Sequence, residues 1–344
     1  MKISAATKRA RNYAKVTDDW YTKFKLSDVT GIGFEEGVAR RDPSSIIEFE
    51  NKYYVYYTKS IGDWNPKTTN HLDKRYPWDY ADICYAESED GLNWIEKGVA
   101  VPRGDTGSFD ERTVCTPDIT VYNGKYYLVY QCIELNGEYI GTHEKVAMAI
   151  ADNPHGPFTK LTQPILERKA DGFWFENSAE DTNTYNDCEF EGTVHDPMLF
   201  HFNDKFYLYY KCFIQKDRSN LKTINKSQGG RHGVAIADNI EGPYIPSPYN
   251  PITNSGHETL MWKYKNGIAT LLANDGPECN TIQYSTDGIN FEIKSIIANP
   301  PLAGGAFRCP DTDSKPLAGL KWGLYHPQFA NNKHWDYIAR FDSI

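Results

Sequence analysis

Carboxyl groups at the start of short apolar segments are the residues of this chain whose types and spacing indicate chemistry. Five such positions occur at wide intervals: Asp42, Asp118, Asp196, Glu258 and Asp311. A basic side chain directly precedes three of the acids: Arg41, His195 and His257. When several carboxyl groups share a small volume, their pKa values separate, so one can act as an acid while another acts as a base. Two carboxyl groups in these roles are the machinery of glycoside hydrolysis.

Aromatic side chains supply the second part of such a site. The chain has 24 Tyr, 16 Phe and 8 Trp. Tyr and Trp combine an apolar ring with a polar tip, and such rings can stack on the C–H faces of sugars. Trp78 is a candidate for this contact, because it lies in a long segment rich in Trp, Asp and Asn. Arg41 and His195, beside the acids, are further candidates for binding a sugar.

A recurring strand–turn–strand unit positions the acids. Each copy has an acidic residue, an apolar run, a turn with Asn or Gly, and an aromatic strand. The copies cover 41–59, 116–132, 195–212, 257–275 and, more weakly, 309–326. Aromatic residues favour strands, and Asn-containing turns between such runs indicate hairpins. A second, outer pair of strand-like runs follows each copy, so the chain predicts an all-β, five-bladed β-propeller. A β-sandwich with similar hairpins is the alternative.

The propeller would bring the five acids together, because the innermost strands of all blades line one central channel. A single Asp before Pro commonly caps a turn, which is the structural interpretation of any one copy. The recurrence at equivalent points favours a functional cluster instead. A hydrophobic inner strand also has no packing reason to begin with His-Asp or His-Glu.

The first 25 residues lack strand alternation and are helical in character. We therefore expect a helical N-terminal extension over 1–25 and a propeller over 26–344. A segment this short does not fold alone, so it must pack on the propeller or on another subunit.

Composition argues against several classes of protein. The 344 residues include 37 Lys and Arg and 46 Asp and Glu, a net charge of −9, which argues against a nucleic-acid-binding protein. No apolar run approaches the roughly 20 residues that span a bilayer. None of the seven cysteines forms a CxxC pair, which argues against a structural zinc site. Unpaired cysteines are typical of proteins in a reducing compartment. The first residues lack the apolar core of a secretion signal. We expect a cytoplasmic protein, or a periplasmic one if a signal has been removed.

The motifs resemble those of glycoside hydrolase family 117. The matching segments are RDPSS at 41–45, TPD at 116–118, HDP at 195–197 and GHE at 256–258. An N-terminal S-x-A-x-x-R-A signature is matched by Ser4, Ala6, Arg9 and Ala10. The resemblance implies a five-bladed propeller that acts on an oligosaccharide. It implies an exo-acting α-1,3-(3,6-anhydro-L-galactosidase) that works with inversion on agar-derived (neoagaro-) oligosaccharides or on a related red-algal galactan fragment. It also implies a homodimer formed by exchange of the helical extension.

The resemblance assigns roles to individual residues. Asp42 matches the general base, His257 the general acid, and Asp196 and Glu258 the supporting acids. Three further positions match polar ligands of the sugar: Thr116, Gln131 and His143. Asp118, also a candidate ligand, stands where the family would have a longer Glu. No cofactor is required, although an ion held through waters in the channel would be auxiliary.

The residues leave alternatives open. If His257 only orients Glu258, then Glu258 is the acid, as in related propeller glycosidases. Two rival functions are an arabinan- or xylan-acting propeller glycosidase and a carbohydrate-binding propeller without catalysis. The N-terminal signature argues against the first, and the convergent acids argue against the second.

Overall fold

A computed structural model describes residues 18–135, 144–167, 194–213, 230–274, 276, 278–327 and 334–344. These residues form five antiparallel sheets, which are the blades of a β-propeller. The predicted all-β, five-bladed architecture is confirmed. Within the described ranges the helices are single 3₁₀ turns, and none could span a lipid bilayer.

The first two blades follow the predicted order of strands. The strands of blade 1 are β2 (Val38–Arg41), β3 (Ile47–Phe49), β4 (Lys52–Ile61), β5 (Asp82–Ser88) and β6 (Trp94–Val101). The strands of blade 2 are β7 (Thr113–Tyr122), β8 (Lys125–Ile133), β9 (Glu144–Ala151), β10 (Thr159–Lys160) and β11 (Leu166–Glu167). In blade 1, β2 and β3 both pair with β4, so together they form the innermost strand.

Blades 3 and 4 each have four strands. The strands of blade 3 are β12 (His195–Phe202), β13 (Lys205–Phe213), β14 (Gly230–Ala237) and β15 (Ile245–Pro246). The strands of blade 4 are β16 (His257–Tyr264), β17 (Gly267–Asn274), β18 (Thr281–Ser285) and β19 (Glu292–Ile296). The innermost strands are therefore β7, β12 and β16 in blades 2 to 4.

Blade 5 is built from both ends of the described chain and corrects two expectations. Its strands run in the order β20 (Gly305–Ala306), β21 (Trp322–Tyr325), β22 (Ala339–Ser343) and β1 (Phe24–Asp28). The weak fifth repeat was placed too late, because the inner strand lies before residue 309. The helical extension over 1–25 is also too long, since Phe24 and Lys25 pair with β22 and close the ring. Residues 1–17 lie outside the described part.

Alternating aromatic side chains of the second strands hold neighbouring blades together. Tyr56 of β4 packs in one apolar cluster with Tyr130 of blade 2, whereas Tyr57 packs with Leu324 of blade 5. All three tyrosines are fully buried. Successive strand residues point to opposite faces, so one aromatic run contacts two blades. Full burial of a large apolar side chain contributes roughly 1.5–3 kcal/mol, which explains the aromatic composition.

Candidate active site

One residue in the innermost strand of each of blades 1 to 4 has a left-handed backbone. The φ angles are 49° for Asp42, 48° for Thr116, 48° for Asp196 and 58° for Glu258. The strand register is interrupted at this point in blades 2 and 3. Such a conformation costs of order 1–3 kcal/mol for a residue with a side chain and clusters at active sites, and a bulge re-aims the side chain. These four residues are the equivalent positions at the mouth of the channel.

Thr116, not Asp118, therefore takes the place of an acid in blade 2. Asp118 lies two residues deeper and is buried. Its carboxylate accepts hydrogen bonds from the backbone N–H groups of Ser45, at 3.1 Å, and Leu199, at 3.4 Å. It also forms an ion pair with Arg308 at 2.6 Å. The carboxylate thus joins four blades below the mouth, and the alignment of Asp118 with the other acids was wrong.

Asp311 is also not part of the cluster. It lies in an exposed loop, where its Oδ1 accepts the backbone N–H groups of Asp313 and Ser314. Hydrogen bonds to Ser314 and Asp313 lower the pKa of this carboxyl. Asp311 therefore caps a turn, and three of the five predicted carboxylates remain at the mouth.

Asp42 is held by groups of its own blade. Its Oδ2 accepts a hydrogen bond from Arg41 Nε at 2.9 Å and from Thr58 Oγ1 at 3.3 Å. Arg41 Nη1 donates to Asp336 Oδ2 at 2.9 Å, and the guanidinium lies 4.6 Å from the ring centroid of Trp78. Burial disfavours the charge of Arg41, but Asp42 and Asp336 outweigh it and raise the pKa of Arg41. Arg41 is engaged by protein groups, and Trp78 lies against it.

Asp196 forms an ion pair with a buried lysine. Lys211 Nζ lies 2.6 Å from Asp196 Oδ2, and the lysine side chain is 6% exposed. Close by, His195 Nε2 is 3.9 Å from Glu144 Oε1. Burial, with the positive charges of Lys211 and His257, lowers the pKa of His195 well below its ordinary value. His195 is therefore uncharged near neutral pH.

Glu258 forms an ion pair with the histidine that precedes it. His257 Nε2 lies 3.0 Å from Glu258 Oε1. Burial alone would raise the pKa of Glu258, but His257, His326 and Lys211 outweigh it and lower the pKa. Glu258 is therefore ionised. The His257 side chain is 25% exposed, so it can contact a molecule in the mouth.

Polar residues on the second strands form a layer behind the mouth. Three of them lie directly opposite the residue that precedes the left-handed position: Thr58, Gln131 and Lys211. Of these residues, Gln131 was predicted from the sequence, whereas Thr58 and Lys211 were not. The signal was present, because each residue ends an aromatic run at the same place: KYYVYYTK at 52–59, KYYLVYQC at 125–132 and KFYLYYKC at 205–212. A polar residue at the end of an aromatic second strand therefore indicates the candidate site.

The three carboxylates lie around one small volume. Asp42 and Asp196 both help to raise the pKa of the buried Cys115 thiol, although burial is the main cause. The charge of Glu258 in turn contributes to the raised pKa of Arg41. The predicted residues that the structure brings to or beside this volume are Arg41, Asp42, Trp78, Thr116, Gln131, Asp196, His195, His257 and Glu258. His143 lies outside the described residues.

The described residues include no group of three or more His, Cys, Asp or Glu side chains that could hold a metal ion. Below the mouth, Asp118 meets the guanidinium of Arg308 rather than further carboxylates. These residues do not fit a directly coordinated ion, and the predicted water-held ion stays a prediction.

Comparisons with known proteins agree with this geometry. Neither a family model nor a curated protein matches the sequence, but solved structures do. Zg3597, a family 117 glycoside hydrolase of the marine bacterium Zobellia galactanivorans, is 34% identical, with a TM-score of 0.76 over 95% of this chain and 92% of that chain. A thermostable family-43 glycoside hydrolase is 15% identical, with a TM-score of 0.56 over 92% of each chain. A β-xylosidase/α-arabinofuranosidase from a compost metagenome is 18% identical, with a TM-score of 0.55 over 92% of this chain and 94% of that one. The last two share the fold alone.

Proposed function

Because this chain belongs to glycoside hydrolase family 117, we propose that it is an exo-acting, inverting hydrolase of agar-derived oligosaccharides. It would release the terminal 3,6-anhydro-L-galactose. One observation carries the proposal: each of the three carboxylates at the mouth has its own basic partner. The pairs are Arg41–Asp42 at 2.9 Å, Lys211–Asp196 at 2.6 Å and His257–Glu258 at 3.0 Å.

Asp42 acts as the general base. Its carboxylate lies 2.9 Å from Arg41 Nε, and a positioned carboxylate can take a proton from water. Thr58 and Arg41 bind Oδ2 and so fix the plane of the carboxylate. The activated water attacks the anomeric carbon from the face opposite the leaving group, which inverts its configuration.

His257 acts as the general acid. Burial opposes the charge of Glu258, but His257, His326 and Lys211 outweigh it and lower its pKa, so Glu258 is not a ready source of a proton. The ionised Glu258 stabilises the protonated imidazole of His257 at 3.0 Å. As the glycosidic C–O bond breaks, His257 gives its proton to the leaving oxygen, while Asp42 takes a proton from the attacking water. This arrangement favours His257 over Glu258 as the acid.

Asp196 and Thr116 act on the sugar itself. The negative charge of Asp196, oriented by Lys211, stabilises the positive charge that develops on the ring in an oxocarbenium-like transition state. Thr116 has the same left-handed backbone as the acids, but its hydroxyl is neutral and suits a sugar hydroxyl. Gln131 lies behind it on β8.

Incubation with neoagarobiose tests the proposal. Thin-layer chromatography should show 3,6-anhydro-L-galactose and galactose, and proton NMR during the first turnovers should show the inverted anomer. Asp42→Asn serves as the inactive control, and its folding is checked by circular dichroism. Release of pentose from an aryl arabinofuranoside or xyloside, with no product from neoagarobiose, would instead identify an arabinan- or xylan-acting enzyme.

A further inference from the structure

His326 is a fully buried imidazole in contact with the base of the neighbouring blade. It directly follows β21 of blade 5 and has no exposed surface. Its Nδ1 lies 3.1 Å from the backbone nitrogen of Asp42 and 3.3 Å from Asp42 Oδ1. Its Nε2 lies 3.3 Å from Arg41 Nη2. The ring therefore contacts both members of the Arg41–Asp42 pair.

The position of His326 matches the polar layer behind the mouth. In blades 1 and 3 the second strand supports the acid of its own blade, with Thr58 bonded to Asp42 and Lys211 to Asp196. The short inner strand of blade 5, Gly305–Ala306, has no acid to support. His326, which directly follows the second strand of blade 5, contacts Asp42 of blade 1 instead.

We propose that His326 is a positioning residue, which fixes Asp42 through the Nδ1 side of its ring. The proposal rests on the assignment of Asp42 as the base. Arg41 and Thr58 hold Oδ2, whereas His326 Nδ1 accepts a hydrogen bond from the backbone N–H of Asp42 at 3.1 Å. The side chain and the left-handed backbone of Asp42 are therefore both fixed, so the carboxylate keeps one direction toward the attacking water.

The charges around the ring favour such a role. Arg41 and Asp42 face it directly, Asp336 pairs with Arg41, and His326 contributes to the lowered pKa of Glu258. Removal of the ring would leave the backbone N–H of the buried Asp42 without its Nδ1 acceptor.

Two amide variants separate the two ring nitrogens. An asparagine side chain places its amide close to the position of Nδ1, and a glutamine places its amide close to that of Nε2. His326→Asn can therefore keep the contact with Asp42, whereas His326→Gln keeps only the contact with Arg41. The two variants differ by one methylene group, so each is the matched control of the other.

Steady-state kinetics on neoagarobiose give the first readout. We expect His326→Gln to lower kcat by about 10- to 100-fold, the order of the loss that a small misplacement of a catalytic group causes, with KM changed less than about twofold. His326→Asn should recover most of kcat. Two results would overturn the proposal. One is a normal kcat in both variants. The other is an equal reduction of kcat in both variants that accompanies a loss of thermal stability.

A second readout needs no substrate. In full-length protein labelled at the aspartate carboxyl carbons, the signal of Asp42 is assigned by its loss in Asp42→Asn. The carboxyl chemical shift of Asp42 at pH 7 should change in His326→Gln and stay near the wild-type value in His326→Asn. Identical chemical shifts in all three proteins would refute the role of His326. If the wild type released no sugar, the proposed function would fail, and this measurement would still decide whether His326 acts on Asp42.

Discussion

Lys211 Nζ lies 2.6 Å from Asp196 Oδ2, and the lysine side chain is almost fully buried. The structure thus places a cation behind a carboxylate for which the sequence indicated only the neighbouring His195. A buried charge that loses its partner is strongly destabilised. The pair fixes the direction of Asp196, which has consequences for catalysis.

We expect Lys211→Met to lower kcat by about 100-fold or more, because Asp196 would lose the cation that orients it and turn away from the sugar. The matched control is Lys205→Met, which removes a lysine of the same strand that pairs with the exposed Asp238 at 2.6 Å. Rates are compared on neoagarobiose, with circular dichroism to verify folding. Normal kcat in Lys211→Met would show that the pair has no part in the reaction.

The general acid can be identified by the leaving group. His257→Ala should lower the rate on neoagarobiose by about 10²- to 10⁴-fold, the usual contribution of an acid. It should have a much smaller effect on an aryl glycoside of the same sugar, whose leaving group needs no proton. Glu258→Gln should slow both substrates, because it acts through His257 and the charge of the site. If Glu258→Gln, and not His257→Ala, slowed the reaction of neoagarobiose much more than that of the aryl glycoside, Glu258 would be the acid.

The lowered pKa of Glu258 predicts a loss of stability in acid. The unfolded glutamate has an ordinary pKa of 4.5, and the folded value lies below it. The ionised group therefore stabilises the folded state above pH 4.5, and this contribution is lost as the pH falls below 4.5 toward the folded pKa. The drop in melting temperature between pH 7 and pH 3.5 should be larger in the wild type than in Glu258→Gln. Equal drops would contradict the assigned shift.

The fold was predictable from the sequence because blades 1 to 3 each carry a complete local signal: a polar residue before Pro, a turn with Asn and an aromatic second strand. The prediction failed where the signal is not local. Blade 5 has an inner strand of two residues and takes its outer strand from Phe24–Asp28, and no repeat shows such a closure. Asp118 was aligned by its own charge, although Pro117, the counterpart of Pro43 and Pro197, marks Thr116 as the equivalent residue.

The candidate site was predictable for the same reason, and only in part. Asp42 directly follows β2, and Asp196 and Glu258 are the second residues of β12 and β16, so the repeat gives their positions. Lys211 and His326 lie in or just after second strands, where a polar side chain looks like a break in an apolar run. Their partners are far away in sequence, and only the closed ring of blades brings them together.

The ion pair between Asp118 and Arg308 predicts a structural effect without a catalytic one. Asp118 Oδ2 lies 2.6 Å from Arg308 Nη2, and the guanidinium is 4.7 Å from the ring centroid of Phe200. Arg308→Met should lower the free energy of unfolding by about 3 kcal/mol, because it leaves the buried carboxylate unpaired. KM should change less than about twofold, since the pair lies two residues below the mouth. Asp311→Asn, which alters an exposed carboxyl of the following loop, should leave stability close to that of the wild type. Urea denaturation measures the stability, and steady-state kinetics measure KM.

A raised KM with unchanged stability in Arg308→Met would show instead that Asp118 binds the sugar, because only a substrate ligand would act on binding without affecting the fold.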